Sequence, residues 1–165
     1  MNVTLGKMAV ERRTALVYVI MIGSLFLCEW FMKNMAEAWG KENVQKDIVG
    51  GKLYLTKYHN EGAFLNLGEK KRKLMALISI ILTVFCLMLF LLSFFQKGNN
   101  LLKAGLSLLL GGAFSNTYDR IKRKYVVDYF GFRFKRFPGI SKVVFNLSDF
   151  FIVAGALIAA LAGMK

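Results

Sequence analysis

Three of the chain's ten acidic residues, Asp119, Asp128 and Asp149, lie beside or inside strongly apolar sequence between Gly111 and Asp149. A carboxylate is costly to place there, which makes each one a candidate for function. Asp128 closes the apolar run Tyr125-Val126-Val127, and Asp149 follows Asn146 by three residues at the head of another apolar run. Two carboxylates about 3 Å apart cannot both ionise, so they share a proton. The charged member can then deprotonate a water while the neutral member protonates a carbonyl oxygen or hydrogen-bonds to it. That is general acid–base peptide hydrolysis, with neither metal nor covalent intermediate. Asn116 and Asn146 add neutral polar groups able to orient the acids or to hold a substrate backbone. On residue types alone a structural alternative stays open. Asp119-Arg120 and Asp128 would then be interfacial salt bridges, and Asp149 a helix cap.

Other chemistries find little support. His59 is the single histidine, and Cys28 and Cys86 both fall inside apolar blocks, so no metal-ligand spacing arises. A Ser–His or Cys–His nucleophile would need His59, which has no nucleophile motif near it and reads as part of a polar surface network. No metal and no cofactor are expected.

The acids must be positioned by apolar elements. The chain has 165 residues, 56% of them hydrophobic, a length for one domain (1–165) and a composition too oily for an ordinary soluble one. A bilayer core needs roughly 20 apolar residues per helix. Four transmembrane helices are expected, at about 15–33, 74–95, 100–118 and 147–164, the third reaching spanning length if Lys103 snorkels to the interface. The first block could be taken for a cleaved signal peptide ending at Ala36-Glu37-Ala38. Its apolar run is too long, however, and Glu29 and Lys33 intervene. Between the first two spans, the 34–73 segment is too long for a plain connection. Within it, Ile48–Leu53 reads as a hairpin turned by Gly50-Gly51, and Lys52–Tyr58 alternates with Leu53 and Leu55 on one face. A small sheet at the membrane surface follows. Trp30, Trp39, Tyr54, Tyr58, Tyr118, Tyr125 and Tyr129 fall on the same side, as an interfacial aromatic belt would. Residues 130–134 alternate Phe with Gly131 and Arg133, suiting either an extended segment facing lipid and phosphate or a basic loop. The fold expected is thus an all-α membrane protein with a small surface sheet.

The net charge of +13 fits a rim attracted to anionic lipid headgroups, because the lysines flank apolar spans. No nucleic-acid module is present, and no nucleic-acid partner is expected. Six basic residues fall on the side of the termini and the other seventeen on the sheet side. By the positive-inside rule that count puts the termini outside, whereas Arg12-Arg13 before the first helix argue the other way. A small ion or proton conduit using Glu29, Asp119 and Asp149 is disfavoured, because it would need no long segment between the first two spans.

Several blocks, in order, resemble the signal peptidase II family, the bacterial lipoprotein signal peptidases. GGAFSNTYDR (111–120) is similar to G-G-A-x-G-N-x-x-D-R, with Ser115 where glycine is usual; Val126-Val127-Asp128 matches V-V-D; and Phe145–Asp149 matches F-N-x-A-D, with Ser148 for alanine. Asn60–Phe64 resembles N-x-G-A-A-F with one alanine missing. Glu29 and Lys33 stand at the family's D-x-x-x-K, at a spacing that lets them pair. The resemblance runs from Glu29 to about Gly155 and is that of a divergent member. It implies an aspartyl endopeptidase of the cytoplasmic membrane that cuts diacylglyceryl-modified prolipoproteins before the lipidated cysteine. It further implies that Asp128 and Asp149 are catalytic, that Asn60, Gly62, Asn116, Arg120 and Asn146 shape the substrate site, and that Asp119 and Gly112 support it. The sheet would be an extracytoplasmic cradle near the active site, the termini cytoplasmic, and the enzyme a monomer. A non-catalytic or substrate-altered paralogue, keeping the fold as a lipid- or peptide-binding scaffold, is the alternative.

Overall fold

The computed structural model describes residues 2–62, 72–96, 98–134, 136 and 139–164, with residues 2–12 described as backbone. Ala63 and Phe64 of the Asn60–Phe64 block lie outside the described residues, as do Lys97, Lys135, Phe137, Pro138 and Lys165. Among the described residues the chain is helix-rich with a small antiparallel sheet. The order is α1 (Asn2–Glu37), β1 (Lys46–Ile48), β2 (Leu53–Asn60), α2 (Arg72–Ser93), α3 (Asn100–Lys122), β3 (Val126–Phe132), β4 (Val144–Phe145) and α4 (Leu147–Gly163).

α1 continues four residues beyond the expected end at residue 33. Asn34, Met35, Ala36 and Glu37 contain no helix breaker, and Ala36 is fully buried against Val127 and Tyr129. Among the described residues, two helices are long and apolar enough to cross a membrane, within Arg13–Glu37 and Arg72–Ser93. Four such helices were expected, and α3 and α4 do not meet that criterion. α3 packs against α1, α2 and α4 together, so Lys103, Ser107, Ser115, Asn116 and Asp119 are buried in protein along its length. α4 has 17 residues, roughly 25 Å of helix. It lies very close to α3, where a side chain on Gly155 would strike Leu109 and Gly105 backbone. A Cβ on Gly112 would stand 2.5 Å from the Ser148 carbonyl oxygen. Glycine at 112 therefore lets the first turn of α4 reach α3.

The sheet runs β1-β2-β3-β4, each neighbour antiparallel. The Gly50-Gly51 turn forms as expected. Ile48 pairs with Leu53 across it, and Gly50 and Gly51 take φ of 63° and 76°. The sheet extends beyond the expected hairpin because β3 joins β2, so Asp128 sits on a strand opposite Tyr58. The aromatic belt is only partly realised. Trp30 and Tyr58 are exposed, but Tyr54 and Tyr129 are buried. The Tyr54 ring lies directly over Gly131, its register partner, and its hydroxyl donates to the Ser141 carbonyl at 3.1 Å. Leu53 and Leu55 share the half-buried face, while Tyr54 and Thr56 occupy the buried one. The 130–134 alternation is extended chain. Phe130, Phe132, Phe145 and Phe150 form an edge and stacked cluster. Arg133 ion-pairs with Asp47 at 2.8 Å and lies over the Tyr54 ring.

Candidate active site

Asp128 enters on β3 and Asp149 on the first turn of α4, and Asn146 ties them together. Asn146 is the N-cap of α4. Its side-chain oxygen accepts from the Asp149 N–H at 3.2 Å, and the Asp149 carboxylate accepts from the Asn146 N–H at 3.1 Å, a reciprocal capping box. The capping alternative is therefore also true of Asp149, without removing it from the site. Having used its oxygen on the helix, Asn146 turns its amide N–H toward Asp128 Oδ1 at 2.6 Å. The other Asp128 oxygen accepts from Asn60 Nδ2 at 3.0 Å, and Asp149 Oδ1 accepts from Asn116 Nδ2 at 3.0 Å. Three asparagines from β2, α3 and the β4–α4 junction thus hold two carboxylates from β3 and α4.

The two acids differ in environment. Asp128 is 2% exposed, whereas Asp149 is half-buried. Burial, followed by the nearby Asp149 charge, pushes the Asp128 carboxyl up to about 7, against the opposing effect of Asn60, Asn146 and Lys33. At neutral pH Asp128 is thus poised between acid and base.

Beneath the carboxylates lies a buried ionic layer. Lys33, 1% exposed, donates to Asp119 at 3.1 Å, to Ser115 Oγ at 3.0 Å and to Asn116 Oδ1 at 2.8 Å. The last contact settles which end of the Asn116 amide faces Asp149. The expected Glu29–Lys33 pair is the longest of the set at 4.0 Å. Glu29 instead accepts from the Tyr129 hydroxyl at 2.9 Å, and that hydroxyl accepts from the Leu147 N–H at 3.2 Å. Burial, followed by the Glu29 carboxylate, pushes the Tyr129 phenol up, which keeps it a donor. Asp119 pairs with Arg123 at 3.0 Å and accepts from the Val127 N–H, so it braces β3 one residue before Asp128. An Asp119–Arg120 salt bridge, part of the structural alternative, is not among the described ion pairs, because adjacent helix residues point apart and Lys33 and Arg123 hold Asp119 instead. Arg120 donates to the Asn116 carbonyl at 3.4 Å and senses the charges of Asp128 and Asp149.

Of the residues singled out by sequence, Asp128, Asp149, Asn60, Asn116 and Asn146 form one network, with Lys33, Asp119, Glu29 and Arg120 around it. Gly112 acts through helix packing. Gly62 sits beside Met75 at the end of β2 and makes no described contact with the acids. Sequence reasoning missed Tyr129 as a site brace and Ser115 as a Lys33 acceptor. The signal for Tyr129 was its place next to Asp128 on an alternating strand.

Comparison with known proteins gives the family and the fold. A lipoprotein signal peptidase of Caldicellulosiruptor bescii is 37% identical over 151 residues, 91% of this chain and 92% of that protein. One of Lactiplantibacillus plantarum is 32% identical over 142 residues, covering 86% and 89%. A bacterial membrane enzyme solved by the in meso method shares the fold with a TM-score of 0.74 at 20% identity, over 90% of this chain and 93% of that one. The family model described as Signal peptidase (SPase) II matches residues 18–165. That match takes in both carboxylates, Asn60, Asn116, Asn146 and the buried lysine beneath them, and the chain belongs to the signal peptidase II family.

Proposed function

We propose that the protein is an aspartic endopeptidase of the cytoplasmic membrane that removes signal peptides from diacylglyceryl-modified prolipoproteins, cutting before the lipidated cysteine. The observation that carries this reading is the Asn146 bridge, which holds Asp128 and Asp149 in one network with unequal burial. Asp149, the more exposed carboxylate, takes a proton from the attacking water, whose oxygen bonds to the scissile carbonyl carbon. Asp128 gives its proton to the carbonyl oxygen. As the tetrahedral intermediate collapses, one of its hydroxyls returns a proton to Asp128, the C–N bond breaks, and the amine of the lipidated cysteine leaves with the proton that Asp149 took from water. Asn60, Asn116 and Asn146 orient the two acids, Arg120 and Gly62 border the substrate backbone, and no metal or cofactor enters the reaction.

In this reading residues 1–165 form one domain with all four helices in the bilayer, α3 protected by its neighbours and α4 completing a short span. The protein works as a monomer, with the sheet as an extracytoplasmic cradle against anionic headgroups and the termini in the cytoplasm. The basic excess on the sheet side stands against this orientation, but it lies in folded segments, where a simple charge count is least reliable, and Arg12-Arg13 ahead of the first apolar run favour cytoplasmic termini. Lys33 pairs with Asp119, Arg72 with Glu61, Arg123 with Glu37 and Arg133 with Asp47. A reporter fused at residue 45 is expected to be active only if it is of a type that works outside the cytoplasm. A cytoplasmic readout would reverse the orientation.

The direct test is cleavage of a synthetic diacylglyceryl-cysteine peptide by purified protein. Because the acid form of Asp128 is the one required and it is lost through about pH 7, the rate is expected to fall about tenfold per pH unit on the alkaline side. A rate that keeps rising past pH 8 would remove Asp128 as the acid. No cleavage of any lipidated precursor would favour the scaffold.

A further inference from the structure

His59, the only histidine, takes no part in the reaction as described, yet it is the centre of a dense polar cluster. Its Nε2 lies 3.1 Å from both Glu37 oxygens at the end of α1, and its Nδ1 lies 3.3 Å from Glu42 in the following loop. Its ring stacks on Tyr125 with centroids 4.0 Å apart. Its backbone N–H donates to Glu42 at 3.1 Å. Glu37 also accepts from the Tyr125 hydroxyl at 3.1 Å and from Arg123 at 3.2 Å, while Lys57 donates to the Glu37 carbonyl. Carboxylates thus face both ring nitrogens, so the ring is held from two edges as well as by its stacked face.

The position of this cluster matters more than its strength. His59 immediately precedes Asn60, which donates to Asp128 and is the last residue of β2. Side chains alternate along a strand, so His59 and Asn60 point to opposite faces. The His59 face is turned toward the end of α1 and the Asn60 face toward Asp128. A clamp on one face therefore sets the height and twist of the donor on the other.

We propose that His59 is a positioning residue: the clamp of its ring between Glu37 and Glu42 holds Asn60 on Asp128. This rests on the peptidase reading above. The groups facing the ring are Glu37 from α1, Glu42 from the loop and Tyr125 from the approach to β3. Arg123 and Lys57 bind Glu37 from behind. Replacing the ring loosens Asn60. The bond that favours the Asp128 anion weakens, and the acid form persists to higher pH.

The test uses the full-length protein and the diacylglyceryl-cysteine peptide, comparing wild type, His59→Gln, Asn60→Ala and the double variant. His59→Gln is expected to lower kcat about tenfold with KM changed less than twofold, and to move the alkaline limb of the pH–rate profile upward. In the Asn60→Ala background His59→Gln should change neither kcat nor the limb further, because its effect runs through a side chain already removed. Glu37→Gln should reproduce the shift. Unchanged kcat and pH profile in His59→Gln would overturn the inference. So would full additivity with Asn60→Ala, or a loss of thermal stability alone. Wild type that cleaves while His59→Gln matches it defeats the inference only, whereas wild type that never cleaves defeats the peptidase reading and the inference together.

Discussion

Asp128→Asn is expected to abolish cleavage and, at pH 8, to leave the protein more stable than wild type. Asparagine is nearly isosteric but can neither release nor take up the proton, so the loss of rate should be at least 10³-fold, on the order of a general acid–base contribution. The stability effect follows from the direction of the shift. The folded-state Asp128 carboxyl lies at about 7, against an ordinary value of 3.8. Between those pH values the folded protein binds more protons than the unfolded chain, so wild-type stability falls as pH rises through that window and is lowest above it. Asparagine carries no charge to desolvate and removes that pH-dependent loss. The gain at pH 8 should be about 1–2 kcal/mol, after allowing for one amide contact that must turn to accommodate the new donor. Asp149→Asn should be equally inactive, but its capping oxygen survives in the amide, so its stability should stay close to wild type. Thermal denaturation in detergent at pH 5 and pH 8, beside the peptide assay, measures both effects. Wild-type-like cleavage by either variant would dispose of the pair. Inactive variants that also fail to fold at both pH values would point to the scaffold.

Lys33→Met is expected to be among the most destabilising single changes in the chain. Methionine fills much of the same volume but leaves Asp119 and Glu29 in a buried layer without the ammonium between them. Removing one partner of a buried ion pair costs about 3–5 kcal/mol. Arg123 and the Val127 N–H still serve Asp119, so the lower end of that range applies. Cleavage should fall in parallel, because the Asn116 amide loses the donor that fixes its orientation toward Asp149. Adding Glu29→Gln to Lys33→Met should restore part of the stability by removing one stranded charge, with little recovery of rate. A midpoint within about 0.5 kcal/mol of wild type would show that the layer is not ionic as drawn.

Asn60 and the catalytic roles came only from the family resemblance, whereas Asp128, Asp149, Asn116 and Asn146 stood out in sequence because their chemistry is local: a carboxylate beside Val-Val, and an asparagine three residues before another acid. The Gly50-Gly51 turn was legible for the same reason, since two positive φ values need that pair. What sequence did not disclose was partner choice across elements. Spacing along α1 offered Glu29 to Lys33, but the closer carboxylate, Asp119, comes from α3. Spacing also offered Arg120 to Asp119, but the helical repeat places Arg123 there instead. Tyr54 and Tyr129 looked like interfacial rings because burial of an aromatic on a strand depends on what covers that face. Here Gly131 and Ala36 leave room for each ring. The four-span expectation counted apolar residues without seeing that α3 hides its polar ones in helix contacts.

The double duty of Asn146 has a consequence for biosynthesis. A ribosome delivers β2, α3 and β3 before α4, so Asn60, Asn116 and Asp128 exist while Asp149 and the bridging amide do not. Because Asn146 caps α4 while it donates to Asp128, the pair of acids proposed to hydrolyse the substrate is brought together by the docking of that helix against Gly112. On the proposed mechanism a nascent chain cannot cleave until its fourth helix is seated, and assembly of the bundle itself acts as the activation step.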